Sequence, residues 1–489
     1  MKQLRRDIGI EALFFTFVLG IWLFWAFLLP LNEGPDENMR LQIAQFILKY
    51  GKLPTGYQKE IMDYTWGFTY AFRPILPQMV EALFIGFAMI FTEDAFTLLF
   101  AGRLVSVLSG VVFFWYVWAL GSLLFERKSL RGLFLLLNVC LPQSSLLFTY
   151  LNCDSTALMA SAMILYYLGR GMKDAFSIRT CIWLGVSLSV CVLSYYNAYG
   201  FLLTAALVFA GCFLERARNG ERCGKEFFYK GFLILGLVLA LTGWWFVRNY
   251  VLYEGDFLGL RTQEECAELY AMDLFKPSGR RNCINMGMSL TDMLFRSDWT
   301  FLVFKGFVGI LAPLTEAHRA WIFAGYGGLF LIGGMGVLAF GVRGMGRKFG
   351  PGSREKADKR KAEKRKEPVD VSRIMLHLGL VIAIVLPNAL NIWYSYSNDY
   401  QPQGRYSMPM LVPFMYYVTW GLGYWGQRLA DRWPDRGAKW RRSLERLACL
   451  WIILTLVYST VGIMWPAYRN VEDKAEVRVY SLEELFGVE

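Results

Sequence analysis

The sequence predicts an all-α polytopic membrane protein of about eleven transmembrane helices, with interfacial helices in its two long outer loops. Three observations lead there. Of the 489 residues, 55% are hydrophobic and only 19% are charged, which is too apolar for a soluble chain of ordinary composition. Several apolar runs, among them 130–150, 232–251 and 447–465, reach the roughly 20 residues that carry a helix across a bilayer core. Helices are the form that satisfies the backbone there. Charge, finally, is partitioned: segments 1–8, 126–131, 170–179, 214–230, 343–373 and 427–446 together carry net +19, leaving −8 for the rest of a chain whose total is +11. Short basic loops stay on the cytoplasmic side. These six are therefore placed inside, and the excess charge calls for no nucleic-acid partner.

The elements follow in order. The first apolar run, 8–31, comes after Lys2, Arg5 and Arg6 but continues without a small-residue cleavage site, so it reads as a retained span. An outer loop, 32–97, follows. In it Asn38, Gln42, Gln45 and Lys49 share one helical face and Met39, Ile43, Phe46, Ile47 and Tyr50 the other, with Gly51 and Pro54 as stop signals. This is an amphipathic helix expected to lie on the outer leaflet. The apolar stretch 74–91 reads as interfacial or re-entrant, because a crossing there would put Arg127, Lys128 and Arg131 outside. Spans 98–124, 130–150, 155–171, 180–196, 199–213 and 230–250 come next, then the outer loop 251–319 with a second interfacial candidate from Trp299 to Pro313. After the span 320–342, the lysine-rich loop 343–373 reads as solvated cytoplasmic chain, leading to spans 374–395, 408–426 and 447–465. Residues 1–465 thus make one membrane domain and 466–489 an outer tail.

The nine cysteines show no metal-ligand spacing. Cys266 and Cys283, both well inside an outer loop, are expected to form a disulfide. No internal repeat of the kind that marks many transporters is visible.

Chemistry is sought at the outer ends of the spans. Pro35-Asp36-Glu37 follows the first span; its acidic pair either caps a helix or supplies a base, and adjacent carboxylates on a helix point about 100° apart, so one at most serves a given atom. Asn152-Cys153-Asp154-Ser155 opens the fourth span, where Asp154 or Ser155 either caps the helix or faces a site. Trp244 to Tyr250 ends the seventh span; its aromatics suit an interfacial belt, and Arg248 either snorkels or binds an anion. In Gln401-Pro402-Gln403-Gly404-Arg405-Tyr406 an outer Arg runs against the positive-inside preference, which favours a phosphate-binding guanidinium over a plain turn, with Gly404 allowing close backbone approach. His318 stands at the start of the eighth span as a satisfied interfacial residue or an acid/base or metal candidate. Carboxylates and guanidiniums on one side suit transfer from a lipid-linked phosphate, where cations stabilise the leaving phosphate and one carboxylate takes the acceptor's proton. No nucleotide-binding loop is present.

These residues resemble the GT-C superfamily of integral-membrane glycosyltransferases, most nearly a bacterial branch of membrane proteins of unassigned substrate. The likeness runs from about 8 to 465, through Pro35-Asp36-Glu37, Arg103, Asn152 to Asp154, Trp245 to Asn249, and Gln403 to Tyr406, in that order. It implies a polyprenyl-phosphate-linked sugar donor used with inversion on the outer face of the cytoplasmic membrane, and a cell-envelope glycan or glycolipid as acceptor. By the same resemblance Asp36 is the base, Glu37 its neighbour in the acidic motif and Asp154 the second acidic residue. Arg405, Gln403, Tyr406 and Arg248 attend the donor phosphate, with Arg40, Arg103, Asn249 and His318 in support. A divalent metal, if any, would fall to Asp36, Glu37 and Asp154. Two positions depart from the branch: Arg40 stands where a His is common, and Tyr195-Tyr196 where a Lys is common. The alternative reading is a transporter or flippase of a lipid-linked saccharide, which would place ionisable residues near the midplane of its spans; Glu81 is the main candidate for such a residue.

Overall fold

The computed structural model describes residues 2–311, 316–349 and 370–476. Much of the lysine-rich loop and the end of the tail lie outside the described residues. The first half of the chain forms α1 (Lys2–Leu28), α2 (Glu37–Tyr50), α3 (Leu76–Ala88), α4 (Ala95–Leu124), α5 (Lys128–Val139), α6 (Pro142–Leu147), α7 (Asp154–Asp174), α8 (Ile178–Val192), α9 (Gly200–Arg218) and α10 (Gly224–Leu252). The second half forms α11 (Leu260–Tyr270), α12 (Leu290–Phe295), α13 (Trp299–Val308), α14 (Ala320–Phe349), α15 (Val371–Ser397), α16 (Leu411–Arg432), α17 (Gly437–Tyr458) and α18 (Trp465–Tyr468). The strand content among the described residues is one two-residue ribbon, Ile310–Leu311 against Glu316–Ala317. The protein is thus an all-α polytopic membrane protein.

Ten of the eleven expected spans fall largely on single helical stretches, and the span 130–150 is broken. Among the described residues, seven helical stretches are long and apolar enough to cross a bilayer on those grounds alone. The α10 stretch shows the lipid-facing pattern most plainly, with Leu235, Leu239 and Val247 exposed. The principal pairings join α4 to α7, α7 to α8, α8 to α10, α9 to α15 and α14 to α16, around a core of large side chains that includes Trp22, Trp25, Phe113, Phe134 and Phe148.

The expected span 130–150 differs. It breaks after Cys140, because Pro142 holds Leu141 in an extended conformation (φ −62°, ψ 124°) and cannot donate into a continuing helix. The interruption is tolerated because these residues are buried in protein, where Ser144 and Ser145 hydroxyls bond the freed carbonyls of Asn138 and Val139. Beyond the break, the non-helical stretch Phe148–Cys153 leads to Asn152 and to Asp154 at the start of α7.

The amphipathic helix appears as α2, closed by Gly51 in the left-handed region (φ 63°) with its N–H on the Ile47 carbonyl. Gln45 and Lys49 are exposed and Met39, Ile43 and Phe46 buried, as the pattern requires. Its apolar side packs on α3 and neighbouring loops. At 13 residues α3 is about 20 Å long, short of a bilayer core, in keeping with a helix that does not cross. The second interfacial candidate appears as α13. The expected disulfide is absent. Both cysteines are free and lie in separate apolar clusters, Cys266 with Phe72 and Tyr253, and Cys283 with Met293 and Trp299.

Candidate functional site

Asp36 occupies the N-cap position of α2 but does not cap it: its side chain makes no bond to the helix, and its backbone sits in the left-handed region (φ 64°). Asp tolerates that region better than most residues, though at some strain. The carboxylate instead turns toward the chain before α16, where Oδ2 accepts from Arg405 Nη2 at 2.6 Å. Arg405 is 7% exposed and Asp36 23%. The guanidinium is held from three further sides, donating to Gln403 Oε1 (2.7 Å), the Pro35 carbonyl (3.4 Å) and the Tyr406 hydroxyl (3.3 Å). Gly404 sets its position, because a Cβ there would lie 1.9 Å from the backbone N of Phe307 in α13. The close approach anticipated for this glycine is therefore to a helix of the protein itself.

Glu37, the neighbouring carboxylate, points elsewhere. It is fully buried and grips Arg103 through two bonds, Nε to Oε1 (2.8 Å) and Nη2 to Oε2 (2.7 Å), while also accepting from the backbone N–H groups of Asn32 and Leu151. Arg103 donates in addition to the carbonyls of Ala26, Leu29 and Pro30 at the end of α1. Glu37 and Arg103 thus fasten α1, α4 and the Tyr150–Asp154 stretch together and have little capacity left for a ligand.

Asp154 is buried, and the helix it opens is capped by Asn152, whose Oδ1 accepts from Ser155 N at 2.7 Å. Its own Oδ1 finds no partner among the described residues. The charges of Arg405 and Arg40 act on it. Arg40 lies with its guanidinium 4.4 Å from the centre of the Tyr70 ring. Tyr195, from the turn where a Lys was the family expectation, is buried beside Asp154, and Asn197 donates to its hydroxyl.

Two residues passed over in the sequence join them. Arg73 packs on the Tyr70 ring at 5.3 Å while donating to Gln263, and Tyr70 lies close enough to Asp36 to favour its ionised form. Arg73 could have been found by the argument that singled out Arg405, a cation in an outer loop against the positive-inside preference; Tyr70 carries no such signal. Burial pushes the Asp36 carboxyl up, but the charges of Arg405 and Arg40, the bond from Arg405 and the nearby Tyr70 outweigh it and hold the group below its ordinary 3.8. Tyr70 is pushed well above 10 by burial and by Asp36, so it remains a proton donor.

Three expected participants stand apart. Arg248 donates to the Pro54 carbonyl at 2.5 Å and stacks on Trp245, and Asn249 donates to the Phe257 carbonyl, so both brace outer loops. His318 bridges the Gly309 carbonyl and the Ser459 hydroxyl, each at 2.7 Å, with burial pushing it down to about 4, which makes it a neutral structural clasp. No group of three His, Cys, Asp or Glu side chains among the described residues is placed to hold a metal ion. With Glu37 engaged by Arg103, the carboxylate set considered for a metal does not converge, and no step below uses one.

The geometry is therefore a buried cluster in which Arg405 and Arg40 act on the carboxylates of Asp36 and Asp154, with Arg73 against Tyr70 beside them. The sequence pattern of the family described as dolichyl-phosphate-mannose-protein mannosyltransferase matches residues 76–246. The fold is similar to that of ArnT from Cupriavidus metallidurans, solved bound to undecaprenyl phosphate, with a TM-score of 0.50 and 14% identity over 96% of this chain and 74% of that one. Archaeal oligosaccharyltransferase AglB from Archaeoglobus fulgidus, solved with an inhibitory peptide and a dolichol-phosphate, aligns with a TM-score of 0.47 and 14% identity over 94% of this chain and 56% of that one. Among curated proteins, no sequence matches. The chain is a polytopic membrane protein whose fold is similar to that of ArnT. Within the chain, the stretch from α3 to α10 carries the sequence pattern of the mannosyltransferase family.

Proposed function

We propose that the protein is an inverting glycosyltransferase that moves a sugar from a polyprenyl-phosphate-linked donor to an acceptor hydroxyl on the outer face of the cytoplasmic membrane. The acceptor class is a cell-envelope glycan or glycolipid. The observation that carries this is the Asp36–Arg405 pair at the outer end of the bundle, flanked by Arg40 and Arg73. A phosphodiester donor has one negative charge and its phosphate product two, so three guanidiniums stabilise the leaving group more than the ground state. The acceptor oxygen bonds to the anomeric carbon as that carbon's bond to the phosphate oxygen breaks, and the acceptor's proton passes to Asp36.

Paired with Arg405, Asp36 is a weak base. A donor phosphate that engages Arg405 weakens that pairing, and the basicity of Asp36 rises in the complex where a base is needed. Asp154, aligned electrostatically with Arg40 and Arg405, helps orient them. Gln403 and Tyr406 hold the Arg405 fork, and Glu37 with Arg103 fixes the backbone from which Asp36 projects. The test is transfer from undecaprenyl-phosphate-linked sugars by purified protein. Arg405→Ala is expected to weaken both donor binding and turnover, and Arg405→Lys to restore only part, since an ammonium lacks the bidentate fork. Unchanged turnover in folded Arg405→Ala would defeat the assignment.

A further inference from the structure

Five polar atoms on α2 and α3 have no hydrogen-bond partner among the described residues although all are buried: Arg40 Nε, both amide atoms of Gln78 and both carboxyl oxygens of Glu81. Gln78 and Glu81 are fully buried, three residues apart on one face of α3. Arg40 is carried by α2, which packs against α3, and its charge acts on Glu81 and Asp36 alike. Each such atom left unsatisfied costs about 1–3 kcal/mol, so five together are a large burden on a fold of ordinary marginal stability. Something that both donates and accepts hydrogen bonds is expected to meet them.

We infer that Arg40, Gln78 and Glu81 form a hydroxyl-binding subsite that takes a sugar ring of the substrate. The donor and acceptor pattern suits neighbouring hydroxyls: Arg40 Nε donates, Gln78 does both, and Glu81 accepts. Burial with only Arg40 to oppose it pushes the Glu81 carboxyl well above its ordinary value, so it can also donate as a neutral acid. The short length of α3 keeps Glu81 off a crossing helix, which separates it from the midplane carboxylates of transporters.

This inference rests on the transferase reading, and binding measurements separate the two. Wild-type protein, Glu81→Leu and Glu81→Gln are titrated with bare undecaprenyl phosphate and with undecaprenyl-phosphate-linked glucose, mannose, galactose and arabinose. At least one sugar-bearing lipid should bind wild type more tightly than the bare lipid. Glu81→Leu should lose that advantage by about 10-fold or more, with bare-lipid affinity unchanged; Glu81→Gln, close in shape and able both to donate and to accept, should keep part of it and guards against a folding defect. Equal losses on bare and sugar-bearing lipids would reassign the cluster to a structural role. Unaltered preference in both variants, or no sugar preference in wild type, would mean that water alone satisfies these atoms. Failure of wild type to bind bare undecaprenyl phosphate would defeat the transferase reading itself.

Discussion

Replacing Asp36 by Asn should strengthen binding of undecaprenyl phosphate while abolishing most turnover. Asp36 and the lipid phosphate compete for one guanidinium. The contact is 2.6 Å long, with Arg405 7% and Asp36 23% exposed. Two unit charges about 4 Å apart at an effective dielectric of about 20 attract by about 4 kcal/mol. Desolvation offsets much of this, leaving roughly 1.5–3 kcal/mol for a charge-assisted bond, against about 1 kcal/mol for the neutral bond that Asn retains. The difference, about 0.5–2 kcal/mol, is available to the phosphate, which also escapes repulsion by the carboxylate. Affinity should therefore rise about 10-fold, while loss of the base lowers turnover by roughly 10² to 10⁴. Because the Asp36 carboxyl is held below 3.8, the pair is intact above that value and is lost only as pH falls through the lower, folded value. Titrations between pH 5 and 8 thus compare an ionised Asp36 with Asn. Equal or weaker affinity in a folded Asp36→Asn protein would refute the competition, and unimpaired turnover would refute the base.

Three further outcomes follow from the same geometry. Arg103→Met strands the buried Glu37 carboxylate and should destabilise the protein by about 3–5 kcal/mol, measured by unfolding in detergent, whereas a surface exchange such as Lys52→Met should be neutral. Gly404→Ala would put a methyl against Phe307 N and the Gly306 carbonyl carbon, forcing the Arg405 turn off α13; a shift of about 1 Å is expected to lower turnover on the order of 10²-fold. A single cysteine at Lys52 should be labelled from outside intact cells and one at Lys359 should not, as the charge partition requires.

The helices were legible because apolar length and basic loops report directly on crossing a bilayer. The break at Leu141 was not anticipated, since 130–150 reads as one apolar run, and the buried surroundings that make an interruption at Pro142 tolerable depend on distant packing. Asp36 and Arg405 stood out as charges at outer span ends, 369 positions apart, and the fold brings them into contact. The 100° argument anticipated that Asp36 and Glu37 serve different partners, although the left-handed backbone at Asp36 could not be foreseen. Capping of α7 by Asn152, rather than by Asp154 or Ser155, turns on loop geometry that spacing does not encode. Arg248 and His318 are polar residues at span ends too, yet each is satisfied by a backbone carbonyl, and nothing in their neighbours along the chain distinguishes bracing from binding.

The most direct test is a structure of the protein with undecaprenyl phosphate bound. The phosphate is expected within hydrogen-bonding distance of Arg405, with Arg40 or Arg73 facing it and the Asp36 contact to Arg405 lengthened or lost. A headgroup bound elsewhere, with the 2.6 Å pair intact, would contradict the account.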